Sequence, residues 1–155
     1  MAFIREIAKF LKYFTPNEKD YRGKPNAFGD FNKMNGLLLR LLDEWRIEAN
    51  HPCTIHCGYE LSGHASQSYH AIGDAVDCHF SGMSLWAAYS ALQKVLARYN
   101  LQDRVGIGIY FWWGNPGFHF DLRGFGLTWY SEKSGNYVYD KAGAIARMRQ
   151  KAGVK

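Results

Sequence analysis

The stretch Ser68-Tyr69-His70-Ala71-Ile72-Gly73-Asp74-Ala75-Val76-Asp77-Cys78-His79-Phe80 decides the reading of this chain. Its second half, Ala75 to Phe80, has the alternation of a β-strand, whose successive side chains point to opposite faces. Val76, Cys78 and Phe80 turn towards a core, and Ala75, Asp77 and His79 share the other face. Gly73 permits a sharp bend ahead of the strand, so His70 enters the region of Asp77 from a turn. An imidazole and a carboxylate brought together in this way suit a divalent zinc ion.

A second stretch, Phe118-His119-Phe120-Asp121-Leu122-Arg123, alternates in the same manner. Phe118, Phe120 and Leu122 form an apolar face, as in any half-buried strand. His119, Asp121 and Arg123 stand together on the other face, and half-burial does not account for three ionisable groups in register.

Ser68, His70, Gly73, Ala75 and Asp77 together resemble the S-x-H-x-x-G-x-A-x-D signature of the M15 zinc peptidases, the D-Ala-D-Ala carboxypeptidase and endolysin family. Val105 to Tyr110, followed by Phe118 to Gly124, is similar to that family's closing motif, and the similarity runs from about Phe14 to Gly124. The resemblance implies zinc ligands at His70, Asp77 and His119, and cleavage of peptide bonds in peptidoglycan by a zinc-activated water. It also implies an α+β fold, a small antiparallel sheet flanked by helices, with a hedgehog- and D-Ala-D-Ala-peptidase-like zinc cleft. Two positions depart from the family pattern. Glu60 follows Gly58-Tyr59 where many members have Arg, and Pro116 stands where several carry a catalytic Glu. Asp121 is the expected general base in its place, with Glu60 and Asp74 as rivals. A base role and a role in orienting a ligand histidine both remain open for Asp121. Arg123, Ser68 and Tyr110 are the expected substrate contacts.

The remaining sequence fits one domain over 1–155. A chain of 155 residues is long enough for a proper core. The formal charge of +5 favours an acidic partner such as a cell-wall polymer, and no basic run with interleaved aromatics marks a nucleic-acid groove. Three cysteines do not complete a disulfide framework. Cys53, Cys57 and Cys78 read as buried free thiols outside the site, Cys53 and Cys57 on the same side as Ile55. A Cys-Cys-His metal site is the sharper alternative for Cys53 and Cys57, although the spacing matches no usual zinc pair. Residues 1–13 read as an amphipathic helix packing Phe3, Ile7, Phe10 and Leu11, and no secretory signal or membrane span is visible.

From Thr15 to Asn35 a loop wraps the domain. Leu38, Leu41, Leu42 and Trp45 then mark a core helix, with Asp43, Glu44, Arg46 and Glu48 opposite. Cys53 to Gly58 is a first strand, and Tyr59 to Tyr69 a polar loop forming one wall of the cleft. Ser84 caps a helix running to about Tyr99. Val105 to Phe111 pairs with the Phe118 strand as a hairpin, in which Gly106 and Gly108 leave room for a ligand backbone. Residues 141–155 form a basic helix or frayed tail. The expected protein is a monomeric zinc peptidase made in the cytoplasm, a phage endolysin acting on the wall after membrane permeabilisation. The alternative is a non-catalytic zinc-binding or wall-adhering phage module.

Overall fold

The computed structural model describes residues 9–64 and 67–155. Strand β2 (Ala75–Phe80) forms where the alternation predicts it. It lies between β1 (Cys53–Cys57) and β4 (Gly117–Asp121), antiparallel to both. Beyond β4 come β3 (Gly106–Tyr110), β5 (Leu127–Lys133) and β6 (Asn136–Val138), giving one six-stranded sheet in the order β1-β2-β4-β3-β5-β6. β3 and β4 form the expected hairpin.

The sheet is mixed, not purely antiparallel, because β5 pairs parallel with β3. The connection from Leu122 to Gly126 crosses the start of β3, held by bonds from Gly124 N–H to Arg104 O and Leu127 N–H to Val105 O. This crossing sends the chain along β3 in the same direction. β5 and β6 then close an antiparallel pair around Gly135, whose φ is +78°.

Among the described residues, the α+β fold is completed by the helices α1 (Gly36–Ala49), α2 (Leu85–Arg98) and α3 (Lys141–Lys151). Each begins on a residue whose side chain accepts from the first turn, Asn35, Ser84 and Asp140 respectively. Such caps satisfy N–H groups that the helix itself leaves open. The basic tail is therefore helical through Lys151, with Ala144 and Met148 buried in the core. The core lies between the helices and the apolar face of the sheet. Its hub is Trp45, fully buried, whose ring meets those of Phe80, Phe118 and Phe120 and whose Nε1 donates to Ala88 O at 2.8 Å. Asp43 departs from its expected solvent-facing place. It is buried and accepts the Lys12 and Tyr13 amides at 2.9 Å each, which ties the entering chain to α1.

Of the proposed N-terminal helix, Phe3 and Ile7 lie outside the described residues, and Phe10 is 77% exposed rather than packed on the domain.

One glycine fixes how the site is assembled. Gly73 ends the 3-10 turn Tyr69–Ile72 with φ +76°, and a Cβ there would stand 1.8 Å from Lys33 O. Its own carbonyl accepts from Asn35 N–H. The turn that carries His70 is thus pressed against the start of α1, where only glycine fits.

Candidate metal centre

Antiparallel pairing sets Asp77 of β2 directly opposite His119 of β4. Directly opposed residues have Cβ atoms about 4.5–5.5 Å apart, and both side chains leave the sheet on the face away from the core. His70 reaches the same point from its 3-10 turn, which Ser68 caps by accepting from His70 N–H at 3.2 Å. His119 Nδ1 lies 2.9 Å from Asp77 Oδ1, His70 Nε2 lies 3.3 Å from the same oxygen, and the two ring nitrogens are 3.2 Å apart. The three expected ligands therefore meet at one point, and His70 and His119 are buried.

The surroundings determine which ring atoms face that point. His70 Nδ1 lies 2.8 Å from Gly58 O, a group that can only accept, so Nδ1 carries the hydrogen. Nε2 is then the lone-pair nitrogen of the neutral ring. His119 Nε2 lies 2.7 Å from Asp121 Oδ2, a carboxylate, so the hydrogen sits on Nε2 and Nδ1 faces the centre. Two imidazole lone pairs and one carboxylate thus converge on one spot. That arrangement repels itself unless a cation occupies the middle, and outward N–H groups anchored to a carbonyl and a carboxylate are the usual support of metal-bound histidines. The donor set fits a metal ion. In the metal-free protein a proton takes that role. Burial would lower the His119 pKa, but the bonds to Asp121 and Asp77 outweigh it and raise it to about 9. Burial likewise opposes ionisation of Asp77, and the bonds to His119 and His70 overcome it, holding the carboxyl well below its ordinary range.

Asp121 shares the face of His119 but does not reach the centre. It is completely buried on the far side of the His119 ring, and both oxygens are engaged. Oδ1 accepts from Gly106 N–H at 3.2 Å and from Arg123 N–H at 3.2 Å and Nε at 2.8 Å. Oδ2 accepts from Arg123 Nη2 at 2.6 Å and from His119. This geometry suits holding His119, the second of the two roles open for Asp121. The rival Asp74 accepts from Asn35 Nδ2 at 3.0 Å, at the start of α1.

The expected substrate contacts line a cleft of about 380 Å³ that also opens on His70, Asp77 and His119. Ser68 Oγ is occupied as the cap of the 3-10 turn. Tyr110 stacks on Trp113 at 4.4 Å and 9°, and its hydroxyl accepts from Trp129 Nε1 at 3.3 Å. Arg123 commits Nε and Nη2 to Asp121, and its guanidinium lies 4.9 Å from the ring centres of both Tyr69 and Trp129. Gly106 and Gly108 do not leave room for a ligand. A Cβ on Gly106 would meet Arg123 and Asp121 within 2.7 Å, and one on Gly108 would meet the Trp129 ring at 2.6 Å. That space is filled by the side chains of Arg123, Asp121 and Trp129.

Several cleft residues escaped the sequence reading. Trp129, Tyr137 and Tyr139 form an aromatic wall. The run Leu127–Lys133 before Ser134-Gly135 carried the strand and turn signal that places them. Cys57 was expected on the core side with Ile55. The β1–β2 register shifts between Ile55, opposite Cys78, and Cys57, opposite Asp77, so two β1 residues span one on β2. Such a bulge re-aims the side chain beyond it, and Cys57 turns to the polar face beside Glu60 and His64. His79 is also drawn away from the centre, its Nδ1 2.6 Å from His56 Nε2. Searches of family models, curated proteins and solved structures find no match to this chain.

Proposed function

We propose that this chain is a zinc-dependent peptidase that cleaves the stem peptides of peptidoglycan, working as a phage or prophage endolysin. The observation that carries the reading is the convergence of His70 Nε2, His119 Nδ1 and Asp77 Oδ1 at the floor of an aromatic-walled cleft. Two imidazoles and one carboxylate are a usual zinc donor set, and three protein ligands leave a position open, as catalytic zinc sites do. When bound, zinc supplies Lewis acidity towards a carbonyl and lowers the pKa of water towards ~7.

The chain's own residues supply the rest. Gly58 O and Asp121 keep the hydrogens of His70 and His119 on their outward nitrogens, so that the inward ones stay available. Arg123 holds Asp121 in place and offers the cationic edge of the cleft, where a substrate carboxylate would lie. Trp129, Tyr137 and Tyr139 provide flat apolar surface against which a peptide can be oriented. The peptidoglycan assignment rests on the resemblance of the Ser68–Asp77 and Phe118–Gly124 segments to the M15 pattern, and the charge of +5 agrees with a wall polymer as target.

The test is incubation of the zinc-loaded protein with purified peptidoglycan, followed by mass analysis of the released muropeptides. New amino groups without new reducing sugars, abolished by a chelator, are the expected result. Release of reducing sugars would overturn the proposal. A second reading, a wall-adhering zinc module without turnover, is favoured by one observation: Pro116 replaces the family's Glu, and Asp121 faces away from the centre. Zinc-dependent sedimentation with peptidoglycan and no bond cleavage would select it.

A further inference from the structure

We propose that Cys57, Glu60 and His64 form a second divalent-cation site, of zinc-like preference, that pins the loop walling the cleft to the end of β1. Glu60 Oε2 lies 2.9 Å from Cys57 Sγ and 2.9 Å from His64 Nε2, and Sγ and Nε2 are 3.5 Å apart. Metal–ligand bonds of about 2.0–2.3 Å place tetrahedral ligand atoms about 3.3–3.8 Å from one another, so small side-chain movements admit an ion. A thiol, an imidazole and a carboxylate are all zinc ligand types.

The same three residue types also build nucleophilic relays, but the geometry here is different. In a relay the histidine uses one ring nitrogen for the nucleophile and the other for the acid. Here His64 presents a single nitrogen to both Cys57 and Glu60, and one Glu60 oxygen meets both partners. Three donor atoms facing a common point is the arrangement of a cation site.

Two of the three positions are fixed by backbone. Cys57 ends β1 at its shifted register opposite Asp77, and Glu60 N–H donates to His70 O at 3.1 Å. The His64 ring stacks on His70 at 4.2 Å and 19°. His70 Nδ1 is 3.6 Å from Cys57 Sγ, but it spends its hydrogen on Gly58 O, so His70 serves only the first centre. The two sites are thus neighbours on opposite sides of one imidazole. His64 lines the cleft, and an ion held there would order the wall against which a substrate rests. This site stands independently of the peptidase reading.

The test is titration of the metal-free full chain with Co²⁺ under reducing conditions, followed by metal analysis and absorption. Two equivalents per chain are expected, with a near-ultraviolet thiolate-to-cobalt charge-transfer band. Cys57→Ser and His64→Gln should each lose the band and one equivalent, whereas His119→Ala should lose one equivalent and keep the band. His64→Gln changes an exposed residue, so it serves if Cys57→Ser folds poorly. One equivalent without the band would overturn the proposal. So would a band that survives Cys57→Ser, or one that disappears in His119→Ala.

Discussion

Replacing Asp121 by Asn separates two roles that one carboxylate can play near a metal. The amide keeps the shape but has one acceptor oxygen where Asp121 has two. Three donors compete for Oδ1, namely the Gly106 amide and the Arg123 amide and Nε, so the amide oxygen settles there. The new NH₂ group must then face His119. It would push the His119 hydrogen from Nε2 to Nδ1, removing the lone pair that points at the centre. Loss of an outer partner of a ligand histidine costs about 10–100-fold in metal affinity, or about 1.4–2.8 kcal/mol at 1.4 kcal/mol per tenfold. Arg123, only 12% exposed in its side chain, would also lose its counter-charge. Breaking a buried pair costs about 3–5 kcal/mol, and the surviving bonds to Oδ1 place this case at the lower end, about 3 kcal/mol. Competition with a chromophoric chelator measures the first quantity, and denaturant unfolding of the metal-free protein the second. At saturating zinc, turnover should return to within about tenfold of wild type. Unchanged zinc affinity with turnover lowered ~10²-fold or more, the scale of general-base removal, would refute the support role and restore Asp121 as the base.

Zinc binding should release a proton from His119, whose metal-free pKa is raised to about 9 from an ordinary 6.5. Apparent affinity should therefore climb about tenfold per pH unit between pH 7 and 9, and a flat profile in chelator competition would contradict the assigned proton. The same shift stabilises the metal-free fold. Its contribution is fully present below pH ~6.5 and lost as pH rises through 9, so the thermal midpoint of the metal-free protein should fall over that window and that of the zinc form should not. Gly73→Ala should cost at least about 1–3 kcal/mol from backbone strain alone and displace His70 by forcing the turn away from Lys33 O. A denaturant midpoint and zinc affinity equal to wild type would show that the turn is not clamped against α1.

Period-two alternation was enough to place Asp77 and His119 on one polar face, because β2 and β4 are ordinary strands with apolar undersides. Their being directly opposite one another is a matter of register, which neither segment encodes alone. The limits of the sequence appear at three residues. Cys57 lies beyond a register shift, and alternation counted from Ile55 puts it on the wrong side. Asp121 is on the predicted face, but a strand pattern gives the face and not the direction. Its direction is set by Arg123 and the Gly106 amide, which capture the carboxylate behind His119. Gly108 shows as much from the other side. An absent side chain marks space, and what fills it is Trp129 of β5, a strand whose parallel pairing depends on the short crossing at Leu122–Gly126.

The proposed metal ion between His70, Asp77 and His119 can be located directly. Anomalous diffraction at the zinc edge, from crystals of the zinc-loaded protein, locates that ion without reference to activity. A peak is expected bonded to His70 Nε2, His119 Nδ1 and an Asp77 carboxylate oxygen at about 2.0–2.2 Å, with Asp121 on the far side of His119. A zinc-replete crystal with no peak among those three residues would contradict that assignment.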